Sequence, residues 1–129
     1  MTTATRETSF GQLDRPSLVD RFGVWLSRRS IDKHLGSLNG KRVADIGCGF
    51  DASLGRQLAR DASHVTLLDV ALADHLFDVP NITALVGPLE EQLGRIADAS
   101  IDVLFCVSVL EHLDDDRTAL HGFRRVLAP

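Results

Sequence analysis

The 129-residue chain reads as a doubly wound α/β domain with a parallel sheet, and three observations predict it. Short β-rich apolar runs alternate with segments of helical spacing, the pattern of βαβ units. The first run ends in a Gly-x-Gly turn, Gly47-Cys48-Gly49, just before a helical segment. The run IDVLFCV (101–107) is apolar almost without interruption, which suits a strand covered on both faces. Ligands of such sheets bind at the carboxyl ends of the strands.

Each element follows from local pattern. Residues 1–14 are small and polar and are expected to form a loose tail. Residues 15–40 are expected to form a cover helix and a linker. Pro16 and Ser17 open the helical pattern, and Leu18, Phe22, Trp25 and Leu26 stripe one face. Arg21, Arg28, Arg29 and Lys33 fall mainly off that stripe. The plain reading is an apolar face on the sheet with a solvated basic face behind it. The sharper one has Trp25, Arg28 and Arg29 touching a membrane surface or an acidic substrate. Asn39-Gly40 then breaks the chain.

Lys41–Ile46 is the first strand. Ser53–Arg60 is a helix with Leu54 and Leu58 on one face, and Asp51 or Ser53 is its expected cap. His64–Val70 is the second strand, and Ala71–Phe77 a short helical turn that stops before Pro80. Asn81–Val86 is the third strand, followed by a poor helix over Leu89–Ala97 with Gly94 inside it. Ile101–Val107 is the fourth strand. The last helix runs from Asp116 to Leu127. Aspartates 114, 115 and 116 stand where its dipole favours them, Arg124 and Arg125 lie near the other end, and Leu120, Phe123, Val126 and Leu127 form the apolar face.

Composition narrows the function. Hydrophobic residues are 44% and charged residues 25%, enough for one core. A net charge of -4 argues against non-specific binding to nucleic acid, and no nucleic-acid partner is expected. The two cysteines, Cys48 and Cys106, lack metal-ligand spacing, so no metal is expected and reduced thiols in a cytoplasmic protein are the default. No apolar run approaches transmembrane length, and membrane insertion is not expected.

The glycine turn selects the ligand class. Gly47, Gly49 and Ala52 fit G-x-G-x-x-G/A, and Asp69 stands 20 residues past Gly49 at a strand end, where an acid can bind ribose hydroxyls. These features suit NAD and S-adenosylmethionine alike. Asp45, two residues before the first glycine, would sit poorly against a pyrophosphate, and Asp51 adds a second carboxylate. S-adenosylmethionine carries an ammonium and a sulfonium, so the local charge favours it. An NAD-dependent oxidoreductase is the disfavoured alternative.

VADIGCG (43–49) resembles the first motif of class I S-adenosylmethionine-dependent methyltransferases. VTLLDV resembles the second motif of that family, SIDVLFCVSVLEHLDD its fourth strand and following helix, and HGFRRVLAP the helix that leads to its fifth strand. The resemblance runs over 41–129. It implies a Rossmann-like sheet with seven strands in the order 3-2-1-4-5-7-6, of which this sequence supplies the first four, ordered 3-2-1-4. It also implies roles. Asp45, Gly47 and Gly49 would surround the methionine end, Cys48 would pack under the cofactor, Asp69 would take the ribose hydroxyls, and Val70 would pack on adenine. Leu89 and Glu90 would flank the adenine, and Cys106 and Val107 would pass beneath the cofactor. Asp51 stands where the family often has a third glycine. Pro88 stands where it often has an acid, so that adenine contact must change.

Glu111-His112 follows the fourth strand. The favoured reading is that the pair fixes loop geometry; the alternative makes His112 a general base. A truncated methyltransferase is the expectation, with an unidentified small molecule or other nucleophile as acceptor. Alone it would bind cofactor weakly and turn over little. The alternative is a non-catalytic S-adenosylmethionine-binding module. An uncovered fourth strand is an apolar edge that a dimer partner or second chain would cover.

Overall fold

A computed structural model describes residues 8–12, 15, 17–107 and 109–129. The strands β1 (Arg42–Ile46), β2 (His64–Asp69), β3 (Ile82–Val86) and β4 (Val103–Cys106) form one parallel sheet in the order β3-β2-β1-β4. Helix α1 (Leu18–Leu35) precedes β1; α2 (Ser53–Leu58) connects β1 to β2, a 3-10 turn at Asp74–Asp78 connects β2 to β3, and α3 (Leu89–Leu93) connects β3 to β4; a 3-10 turn at Leu110–His112 and α4 (Asp116–Val126) follow β4. The expected class and strand order are therefore both observed. So are the β1–β2 and β2–β3 neighbours, which the register places Asp45 beside Leu67 and Leu68 beside Leu85.

Alternation along the strands builds two cores. Val43, Val65 and Leu67 face α1 and α2, where Ile31, Leu54 and Leu58 meet them. Ala44, Ile46, Leu68 and Leu85 face α3 and α4, where Leu93, Phe123 and Val126 meet them. Ile46, Leu58, Leu67 and Val126 are fully buried, each worth about 1.5–3 kcal/mol of apolar burial. A strand between two helical layers has no polar face, which is why β1 is buried from Val43 to Ile46.

The structure corrects several expectations. β4 is half-buried along all four residues rather than covered: it is the last strand of the sheet, and among the described residues no strand pairs along its outer edge, the isolated Ile101–Leu127 bridge lying before it. On α1 the apolar stripe faces outward: Leu18, Phe22, Trp25 and Leu26 are exposed, and Ile31 is the buried residue. Val24 and Ile31, two turns apart, set the inner face, so the stripe points away from the sheet. Phe22 stacks on Trp25 at 5.6 Å, and the Arg29 guanidinium lies 5.5 Å over the Trp25 ring. Ala119 replaces Leu120 on the buried face of α4. Neither Asp51 nor Ser53 caps α2: Ala52, in left-handed backbone with φ 45, is the N-cap and makes no side-chain bond. The Asp51 carbonyl instead accepts from Arg56 Nε at 2.8 Å.

Other ends follow the sequence. Ser17 and Asp20 form a capping box at the start of α1, and Asp115 accepts from the Thr118 N–H at the start of α4. Arg42 grips Asp102 with both Nε and Nη2, at 3.0 and 2.9 Å, which ties the start of β1 to β4 and holds the Asp102 carboxyl well below the usual range. Arg125 of α4 donates to the carbonyls of Leu93 (2.8 Å) and Ile96 (2.9 Å) and pairs with Asp98, satisfying acceptors left open where α3 ends. Arg125→Ala is expected to cost about 1.5–3 kcal/mol in urea unfolding. Arg125→Lys should recover only part, because a single ammonium lacks the guanidinium fork.

Candidate functional site

The turn after β1 lies at the carboxyl end of the sheet. Gly47 (φ 71) and Gly49 (φ 83) adopt left-handed backbone that favours glycine. Gly47 also has no room for a side chain: a Cβ there would fall 2.1 Å from Val109 Cγ2. The turn therefore packs directly against the segment that follows β4.

Four successive N–H groups of the turn have acceptors within the protein. Gly47 and Cys48 donate to Leu68 O at 2.7 and 3.4 Å, and Phe50 donates to Phe10 O at 2.8 Å. Gly49 donates to Asp69 Oδ2 at 2.9 Å. A pyrophosphate site needs such donors free. This turn does not offer them.

Beneath it sits Asp45, 3% exposed, with its Oδ2 lacking any hydrogen-bond partner. Burial first, and the nearby Asp69 charge second, push its carboxyl up to about 7. Asp69 is also buried and accepts from Gly49 N–H on one oxygen and from Val70 N–H (2.7 Å) on the other. It organises the glycine turn, and each oxygen keeps a further lone pair. Burial, with the charges of Asp45 and Asp69, drives the Cys48 thiol far up; burial, with Asp45 and Glu111, raises Cys106 to about 11. Both cysteines are free thiols, and these shifts disfavour thiolate chemistry at neutral pH.

A cleft of about 1180 Å³ opens beside the turn. Asp45, Gly47, Cys48, Gly49, Val107 and His112 line it, so half of the residues singled out from sequence converge there. The others lie outside its lining. Asp69 and Val70 sit behind the turn, and Cys106 ends β4 opposite Ile46. Leu89 packs on the core beneath α3, Glu90 is exposed at the start of that helix, and Glu111 is exposed beside His112. Sequence reasoning missed Phe10 and Val109. Phe10 comes from the stretch expected to be loose, and Val109 shows its role only through its fit against Gly47. Among the described residues no group of His, Cys, Asp and Glu could hold a metal ion, and no helix is long and apolar enough to cross a membrane.

A family model described as "Methyltransferase domain" matches residues 44–129. The chain belongs to the methyltransferase domain family. Within it, the class is the S-adenosylmethionine-dependent class I. This methyltransferase-family chain is 34% identical to a ubiquinone biosynthesis O-methyltransferase of Erwinia tasmaniensis, covering 77% of this chain and 43% of that protein. It is 32% identical to O-methyltransferase rstn1 of Aspergillus nomiae, covering 92% and 57%. The chain thus spans about half the length of these curated relatives. Among solved structures, the [4+2]-cyclase SpnF superposes with a TM-score of 0.71 at 16% identity, over 98% of this chain and 49% of that one, a likeness of fold. A putative type II methyltransferase from Anaeromyxobacter dehalogenans superposes with a TM-score of 0.57 at 25% identity, over 78% and 43%.

Proposed function

We propose that the cleft, with the adjoining carboxyl ends of the strands, binds S-adenosylmethionine and that the protein delivers its methyl group to a hydroxyl of a small molecule. The observation that carries this is Asp45: a buried carboxylate with an orphaned oxygen under the glycine turn fits a cationic amino-acid end and repels a diphosphate. The engaged N–H groups of the turn argue the same way. A hydroxyl acceptor is supported by the names of the relatives, which are O-methyltransferases.

When bound, the cofactor would supply an electrophilic methyl on sulfur. Asp45 would pair with the ammonium. Asp69 would hold the turn in shape and offer its spare lone pairs to the ribose hydroxyls. Val70, Leu89 and Glu90 would serve the adenine end, and Cys106 and Val107 the floor. In-line transfer depends mainly on holding the acceptor oxygen on the far side of the methyl. The acceptor hydroxyl would give up its proton as the methyl passes from sulfur to oxygen, the S–CH3 bond breaking to leave a neutral thioether as the O–CH3 bond forms. His112 is the imidazole on the cleft wall that would take the proton; Glu111 stands beside it in the same short turn and, like it, is exposed. A dimer partner or second chain over the half-buried edge of β4 belongs to the same reading.

Calorimetry tests it. S-adenosylhomocysteine should bind saturably, and NAD at the same concentration should give no heat of binding. NAD binding with no response to S-adenosylhomocysteine would overturn the assignment.

A further inference from the structure

Residues Ser9 to Gln12 fold back over the glycine turn as a small closed strap. Gln12 N–H donates to Ser9 O (3.2 Å), and Ser9 N–H donates to Gln12 Oε1 (3.0 Å). The strap is tied down through Phe50, whose N–H donates to Phe10 O (2.8 Å) and whose carbonyl accepts from Ala73 N–H (2.9 Å). One residue thereby joins the strap, the glycine turn and the segment after β2. The contact is close: a Cβ on Gly49 would lie 3.5 Å from Phe10 O and 3.8 Å from the Phe10 ring. Yet Phe10, on the lining of the cleft, is 61% exposed.

Among the described residues, two buried side-chain oxygens lack a hydrogen-bond partner: Asp45 Oδ2 and Ser9 Oγ. Buried polar atoms are paired in the great majority of cases. Here the two orphans belong to the strand end leading into the turn and to the strap that closes on it. A zwitterionic amino-acid group would satisfy both. Its ammonium suits Asp45. Its carboxylate would be repelled by Asp45 and Asp69, so it needs a neutral or positive donor. The turn cannot supply one, since its N–H groups from Gly47 to Phe50 are already engaged. The Ser9 hydroxyl, buried on the strap whose Phe10 carbonyl is bonded to the turn, is an uncommitted donor.

We propose that Ser9 and Phe10 complete the cofactor site, with the Ser9 hydroxyl donating to the ligand carboxylate and the Phe10 ring closing over the ligand. This rests on the S-adenosylmethionine reading above. The strap is then a working wall of the site.

The test is calorimetry on the full chain with two probes, S-adenosylhomocysteine and 5′-methylthioadenosine, which lacks the amino-acid end. Ser9→Ala should weaken S-adenosylhomocysteine about tenfold and leave methylthioadenosine within about twofold. Phe10→Ala should weaken both probes. Phe10 is mostly exposed, so that variant should keep the parent's melting temperature. As a check free of any variant, hydrogen exchange at the Phe50 amide should slow when S-adenosylhomocysteine is added. Equal losses for both probes in Ser9→Ala, or none, would sink the Ser9 contact. Unchanged binding in Phe10→Ala together with unchanged Phe50 exchange would sink the strap. A parent chain that binds neither probe overturns the S-adenosylmethionine reading itself.

Discussion

Gly47→Ala is expected to cost about 2–5 kcal/mol of stability and to abolish measurable binding of S-adenosylhomocysteine. Two separate penalties add. Left-handed backbone at φ 71 costs an alanine about 1–2 kcal/mol. The new methyl would also fall 2.1 Å from Val109 Cγ2, and overpacking of that kind costs about 1–3 kcal/mol. The penalties can be told apart. Trimming Val109 to Ala removes Cγ2 and leaves Val109 Cβ 3.4 Å away, so Gly47→Ala/Val109→Ala should regain the steric part and keep the backbone part. Urea unfolding of the four members of this cycle measures it. A Gly47→Ala protein as stable as its parent, or no recovery in the double variant, would refute the contact. The consequence reaches beyond stability. Val109 directly precedes the Leu110–His112 turn, so pushing it outward moves the side of the cleft that carries His112.

That contact shows where sequence reasoning stops. The sheet was legible because each strand is a short apolar run with its own turn signals, and parallel order follows from alternation with helices. The two glycines, Asp45 and Asp69 were legible because one continuous stretch and one strand end hold them. Val109 against Gly47, and Phe10 against Gly49, were not, since they join segments tens of residues apart by shape rather than by pattern. The outward stripe of α1 failed for a different reason. Periodicity fixes which residues share a helix face; packing decides which face turns inward, and Val24 with Ile31 won that choice over a stripe with more apolar residues. At Asp51 a capping residue stood one position too early, and left-handed Ala52 took the cap. The covered appearance of IDVLFCV described what β4 is suited to pack against, not what flanks it in this chain.

Asp45→Asn is expected to stabilise the protein at alkaline pH while weakening the binding of S-adenosylhomocysteine. Burial holds the carboxyl at about 7 in the folded state, against 3.8 when exposed. Between those values the folded chain keeps a proton that the unfolded chain has released. Stability from this group is therefore greatest at or below about pH 4, falls as pH rises through the window, and levels off above about 7. The full penalty is about 4 kcal/mol, taking 1.36 kcal/mol per pH unit. Asparagine does not titrate. Its advantage over the parent should grow by about 2–3 kcal/mol between pH 5 and pH 8, read from urea unfolding at each pH. A constant offset at both would mean that Asp45 does not titrate as argued. Binding should move in the opposite direction. A ligand ammonium favours the ionised carboxylate, so binding releases a proton, and parent affinity for S-adenosylhomocysteine should climb up to about tenfold per unit as pH approaches 7. In Asp45→Asn the affinity should be lower and nearly flat across that range. The same buried, unpartnered oxygen then accounts for both effects: what burdens the fold without a cation is what selects the cation.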